Sequence, residues 1–276
     1  MTIKEIQIQS LDLMLYGKLH FVGKKNPTIL FLPGLGFHAF EYEDLTKLMS
    51  EAGFNCLSLD YRSHGKSEGR RGYWTLADLV QDAKSAIDYI SENINGDIWV
   101  FGNSLGATVG VCLASEDDRV RGLIASNCAT RPVDFGMNNF RKILLAIASI
   151  IFKIVPFRLS VNYFIPYTKI LSDKKIIEKI KADKSVSDAR RFAVSTYQDM
   201  FSWDITKIIP KVKVPILIIQ AKKDGLQSIT QSTMLFDAAN EPKEFQLIET
   251  GHVPNLENPE YLSDILVKWF KEKSDK

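Results

Sequence analysis

A serine hydroxyl is a weak nucleophile near neutral pH. It attacks a carbonyl only with a base within hydrogen-bond reach and a third group that orients the base. Ser104 stands in Gly102-Asn103-Ser104-Leu105-Gly106. The apolar run Ile98-Trp99-Val100-Phe101 precedes it, and Ala107 to Ala114 follows with Gly and Ala at helical spacing. A buried strand, a sharp turn and a small-residue helix are the setting in which G-x-S-x-G forms a nucleophile elbow. Gly102 and Gly106 remove the Cβ atoms that would collide where strand and helix nearly touch. At the apex Ser104 is expected in a strained backbone conformation, its hydroxyl projecting above the sheet.

Four histidines are candidate bases: His20, His38, His64 and His252. His20 lies in an N-terminal hairpin and reads as a surface or packing residue. His252 lies in Thr250-Gly251-His252-Val253-Pro254, a loop after the last strand, where side chains at the end of a parallel sheet converge. The orienting acid falls between serine and histidine in this chain order, which selects Asp224, after the strand at 214–219. Asp60 also ends a strand but precedes Ser104, so it reads as a loop-structuring residue. An acyl-transfer transition state needs two oxyanion donors. The Leu105 N–H, at a helix N-terminus, is one. The Leu35 N–H, between Gly34 and Gly36 in the loop after strand 28–32, is the other.

These residues need a scaffold that brings strand ends together. Two alternating stretches, 3–9 and 11–21, suggest an antiparallel hairpin at a sheet edge. Thr28 to Leu32, Phe54 to Leu59, Ile98 to Phe101, Val120 to Ser126, Val214 to Ile219 and Glu244 to Ile248 read as further strands. Helices are expected at about Tyr42 to Ala52, after the N-cap Thr75, after the elbow, at Thr230 to Ala239, and after Asn258-Pro259. This alternation predicts an α/β fold, a mostly parallel doubly wound sheet. The rhythm breaks from Arg131 to about Trp203, where helical stretches predominate. The expected organisation is therefore a core of residues 1–130 and 204–276 with a helical cap or lid at 131–203.

Composition narrows the class. With 276 residues and a net charge of +2, the chain is not a general nucleic-acid binder. Cys56, Cys112 and Cys128 lie in apolar surroundings and read as buried thiols in a reducing compartment, so a cytoplasmic location is expected. No metal-ligand spacing and no cofactor motif appears. The longest apolar run, Ile143 to Phe152, is about half of a membrane span.

The chain resembles the α/β-hydrolases, and within them the monoacylglycerol lipase, lysophospholipase and serine-aminopeptidase-like branch. The resemblance rests on Pro33-Gly34-Leu35-Gly36-Phe37-His38 with Tyr42, on Asp60-Tyr61-Arg62-Ser63-His64-Gly65-Lys66-Ser67-Glu68-Gly69, on the elbow, on Asp224, and on Gly251-His252-Val253-Pro254-Asn255. Pro33, Phe37 and Ser63 depart from the branch pattern. The resemblance implies a serine hydrolase cleaving a carboxylic ester, with Ser104, Asp224 and His252 as triad, and His38 and His64 as loop-structuring residues. Asn103 is more often seen in C–C bond hydrolases of the dienoate type, and a non-catalytic hydrolase-fold binding protein is a third reading. A serine nucleophile excludes dehalogenase and epoxide-hydrolase chemistry, which uses aspartate. Between 131 and 200 the insertion carries 13 Lys and Arg against 6 Asp and Glu. Its apolar stretch 140–155 is either a buried cap helix or a lid that lines an acyl pocket and touches a membrane surface. The expected partner is a small ester with an apolar acyl chain. Its length, its alcohol and the oligomeric state stay open.

Overall fold

The computed structural model describes residues 1–94, 96–130, 158–163, 165–184, 186, 190–200 and 202–274. Strands β1 (Thr2–Ser10) and β2 (Leu13–Phe21) pair antiparallel about Leu11, which takes a φ of 54°. After β3 (Thr28–Leu32) come a 3-10 turn at Ala39–Tyr42, α1 (Glu43–Glu51) and β4 (Asn55–Leu59). Next are α2 (Leu76–Asn93), β5 (Ile98–Asn103), α3 (Leu105–Glu116) and β6 (Val120–Ser126). The chain then leaves the sheet. The described part of this excursion holds β7 (Arg158–Ser160), α4 (Tyr167–Ile170), α5 (Lys174–Ala182), β8 (Arg191–Ala193) and α6 (Val194–Met200). It returns through β9 (Ile216–Ala221), α7 (Ile229–Ala238), β10 (Lys243–Ile248), α8 (Pro254–Glu257) and α9 (Pro259–Ser274).

The sheet order is β1-β2-β4-β3-β5-β6-β9-β10, antiparallel at β1–β2 and β2–β4 and parallel at every other pairing. Period-two alternation splits each central strand between two cores. Leu30, Leu32, Val100 and Ile218 face one cluster, which includes Leu79, Ala83 and Ile87 of α2 and Leu113 of α3. Ile29, Phe31, Trp99 and Phe101 face the other, with Leu45 and Met49 of α1 and Leu266 and Phe270 of α9. Both faces are therefore covered, as a sheet of fully buried strands requires. Strand order reverses at β3, which lies between β4 and β5, and ligand crevices form outside the strand ends at such a point.

Local chemistry sets the element ends. Thr75 accepts the Asp78 N–H, and Asp78 returns a carboxylate to the Thr75 N–H, closing a capping box on α2. The Asn258 side chain accepts the Tyr261 N–H ahead of Pro259. β9 begins at Ile216 rather than Val214, because Pro215 has no N–H for the ladder. The excursion departs from the helical expectation: β7 and β8 form a separate antiparallel ribbon of three residues each, too short for its alternation to register in the sequence. The apolar stretch 140–155 lies outside the described residues. Among them, no helix is long and apolar enough to cross a membrane.

Candidate active site

The turn from β5 into α3 is as tight as its glycines imply. A Cβ on Gly106 would collide with the Leu32 carbonyl oxygen, and one on Gly102 with the Gly106 carbonyl oxygen. Ser104 sits between them at φ 55°, ψ −116°, outside the regions that side-chain-bearing residues ordinarily occupy. Its N–H donates to the Ser126 carbonyl at 2.9 Å, which locks the apex against β6. The strain expected at the apex is thus present, and the neighbouring strand holds it in place.

His252 comes from the loop between β10 and α8. Its Nδ1 stands 2.6 Å from Asp224 Oδ2, and both side chains are almost fully enclosed. The other Asp224 oxygen accepts the N–H groups of Leu226 at 2.7 Å and Gln227 at 2.8 Å, so the carboxylate is fixed by its own loop. Backbone contacts fix the imidazole from behind. The His252 carbonyl accepts from Asn103 Nδ2 at 3.2 Å and from Asn127 Nδ2 at 3.0 Å. Asn127, at φ 46° after β6, also accepts the Ala221 N–H at 2.7 Å. It therefore ties β6, β9 and the histidine loop together. Asn127 carries no motif in the sequence; its one signal is that an Asn just past a strand end is a common left-handed position.

Leu35 lies in a turn closed by the Phe37 N–H on the Gly34 carbonyl at 3.0 Å, with Gly36 at φ 75°. Leu105 is the first residue of α3. Neither of these two N–H groups has an acceptor among the described residues. Leu35, Leu105, Ser104 and His252 all line one cleft of about 530 Å³, mouth included. Phe37, Ile165, Ile170, Met200, Trp203 and Leu226 make its walls apolar. Two polar residues of the lining, Arg190 and Gln227, were not singled out in the sequence, because the excursion delivers one and a loop end the other.

The remaining histidines sit elsewhere. His20 is buried beside Thr46 and Glu43. His64 Nδ1 lies 2.9 Å from the Arg62 carbonyl, and full burial pushes its pKa down to about 4, so the ring is neutral. The His38 N–H donates to Glu41 Oε2 at 2.8 Å, and burial pushes the Glu41 carboxyl up to about 8. His38, Glu41 and Asp183 bring potential metal-ligand atoms within 4.8 Å of one another, a grouping that sequence spacing could not reveal. Cys56, Cys112 and Cys128 are buried free thiols.

A mostly parallel sheet with helices on both faces, an antiparallel leading hairpin and a strained serine between strand and helix define an α/β-hydrolase. The profile of the serine aminopeptidase, S33 family matches residues 23–252, and the chain belongs to that family. It is 26% identical over 276 residues to polyketide transferase ATR5 of Stachybotrys chlorohalonatus, covering 92% of this chain and 91% of that one. With human monoglyceride lipase it shares 22% over 250 residues, 88% of this chain and 80% of the lipase. A structure of DcsB in complex with its substrate analogue superimposes with a TM-score of 0.84 over all of both chains at 19% identity, a likeness of fold.

Proposed function

We propose that the protein is a serine hydrolase that cleaves a carboxylic ester through an acyl-enzyme. The observation that carries the reading is the His252 Nδ1 to Asp224 Oδ2 contact of 2.6 Å, on a histidine that shares its cleft with Ser104 and with two N–H groups that have no acceptor among the described residues. In this mechanism Asp224 holds the imidazole with its proton on Nδ1, leaving Nε2 as the base. His252 takes the Ser104 proton as the hydroxyl oxygen attacks the ester carbonyl. The Leu35 and Leu105 N–H groups donate to the oxyanion, the latter with the α3 dipole behind it. His252 then protonates the leaving alcohol, and water repeats the sequence on the acyl-enzyme. No metal or cofactor enters the scheme.

The apolar walls suit an acyl chain. Residues 1–130 and 204–276 then serve as the hydrolase core, and 131–203 as the cap that supplies Ile165, Ile170, Met200 and Trp203 to the cleft. The relation to a protein named a polyketide transferase raises the fate of the acyl-enzyme, since an alcohol can replace water in the second half-reaction. Asn103 keeps a C–C hydrolase of the dienoate type as the second reading. Its side chain holds the His252 carbonyl at 3.2 Å, a task independent of which bond is cleaved.

A series of p-nitrophenyl esters of rising chain length, set against a dienoate ketone, tests the proposal. Rates should climb with chain length by up to ~0.8 kcal/mol of binding per methylene and then level off as the cleft fills. Turnover of the dienoate with inert esters would overturn the ester reading. A chain that turns over neither class and takes up no fluorophosphonate would be a binding protein.

A further inference from the structure

Among the described residues that line the cleft, Arg190 is the charged one that the ester mechanism does not use. It is 2% exposed, and it lines the same cleft as Ser104 and His252. Its Nε donates to Asn162 Oδ1 at 2.7 Å, one terminal nitrogen to the Ile165 carbonyl at 2.8 Å, and the other to the Leu35 carbonyl at 3.4 Å. Its guanidinium lies over the Tyr167 ring, 4.6 Å from the centroid. All of these partners are neutral. Among the described residues no carboxylate pairs with it. Burial pushes its pKa down only to about 10, so it is a cation at neutral pH. A guanidinium has five N–H donors in a planar fork, and three are accounted for.

Gln227 supplies an independent observation. It is 2% exposed and lines the cleft, and among the described residues neither its side-chain oxygen nor its nitrogen has a hydrogen-bond partner. Buried polar groups are ordinarily satisfied, and one left open at a binding cleft points to a ligand that satisfies it. An apolar acyl chain alone would leave the Arg190 charge without a counter-ion and the Gln227 amide without a polar contact.

We infer that the substrate's acyl part carries a carboxylate, received by Arg190 with Gln227 as a second polar contact in the same cleft. This rests on the reading of the cleft as an ester-cleaving site. The position of Arg190 sets the reach. Its terminal nitrogen bonds the carbonyl of Leu35, the residue whose N–H faces the oxyanion. Allowing one hydrogen bond at each end, the carboxylate lies on the order of 5–8 Å from the reacting carbonyl oxygen. That span fits monoesters of short dicarboxylic acids. Arg is suited to the task because its fork matches a carboxylate bidentately.

The test compares mono-p-nitrophenyl glutarate and adipate with their neutral methyl diesters, in the wild type and in Arg190→Met, Arg190→Lys and Gln227→Glu. The wild type should prefer the anionic esters in kcat/KM. Arg190→Met should lower that preference about tenfold to hundredfold, with Arg190→Lys between the two. A residue that only latches the cap to the Leu35 loop predicts equal losses on both ester classes, and that result overturns the inference. So does a wild type that prefers the neutral diesters. Should Arg190→Met fail to fold, Gln227→Glu reads the same point: a carboxylate placed in the cleft should repel the anionic esters selectively, and an unchanged ratio counts against the subsite. Binding of monomethyl adipate, measured by calorimetry on the unmodified protein against dimethyl adipate, separates the two layers. Selective binding of the anion without turnover retains the subsite and rejects ester hydrolysis. Turnover of neutral esters without selective anion binding does the reverse.

Discussion

Two loops leave the sheet at the ends of parallel strands, each with an aspartate near its start and a glycine beyond. After β4, Asp60 accepts the Ala39 N–H on Oδ1 at 2.6 Å and the Lys66 N–H on Oδ2 at 2.8 Å. After β9, Asp224 gathers two N–H groups of its own loop on Oδ1 and turns Oδ2 to His252 at 2.6 Å. Both carboxylates are buried. In the first loop each oxygen accepts a backbone N–H, so the carboxylate staples the Leu35-side turn to the 60–69 segment. Gly65 is obligatory there, because a Cβ would collide with the Asp60 carboxylate. In the second loop half the carboxylate builds the loop and half is left for an imidazole. What separates a structural aspartate from a candidate catalytic one is therefore where the second oxygen points.

The sharpest way to break this comparison is to change one atom in each loop. Asp224→Asn keeps an oxygen for the Leu226 and Gln227 N–H groups but presents an amide donor to His252 Nδ1. The imidazole then carries its proton on Nε2 and cannot act as base. Ester turnover should fall on the order of 10³–10⁴-fold with the melting temperature little changed. Asp60→Asn should behave in the opposite sense. Its new amide donor faces an N–H, so stability should fall by about 1–3 kcal/mol, while turnover by the folded protein stays within about tenfold. Denaturant titration beside steady-state kinetics reads both. If the Asp60 change is the one that abolishes turnover, the assignment of the acid is wrong.

A smaller effect sharpens the contrast between the two histidines. His64, in the Asp60 loop, is held near 4 by burial, whereas it titrates near 6.5 when exposed. Between those values the unfolded chain binds more protons than the folded one, so stability rises with pH. The contribution is fully present above about pH 6.5 and is lost as pH falls toward 4, and it amounts to roughly 3 kcal/mol at most. Glu41, raised by burial to about 8, acts in the opposite sense: its contribution is present below about 4.5 and lost as pH rises toward 8. The difference between wild type and His64→Phe therefore carries the test. The variant should lose less stability between pH 6.5 and 4 in thermal melts, and parallel curves would contradict the account.

The sequence exposed those parts of the site that obey local rules. The elbow was legible because two glycines, an apolar strand and a small-residue helix are consecutive, and His252 and Asp224 because chain order constrains them. Asn127 was not legible: its bonds to Ala221 and His252 cross from β6 to two other loops. Arg190 and Gln227 were invisible for a related reason: one comes from the excursion and the other from the loop after β9, and only the fold brings both to the cleft of Ser104. The ribbon of β7 and β8 escaped because three residues cannot show a period.

The central claim is that Ser104 is a nucleophile activated by His252. Incubation of the intact protein with a fluorophosphonate, followed by peptide mass mapping, tests it most directly. The account predicts a single adduct, on Ser104, absent from Ser104→Ala and formed far more slowly in His252→Ala. An adduct on another residue, or labelling undiminished in Ser104→Ala, would contradict it.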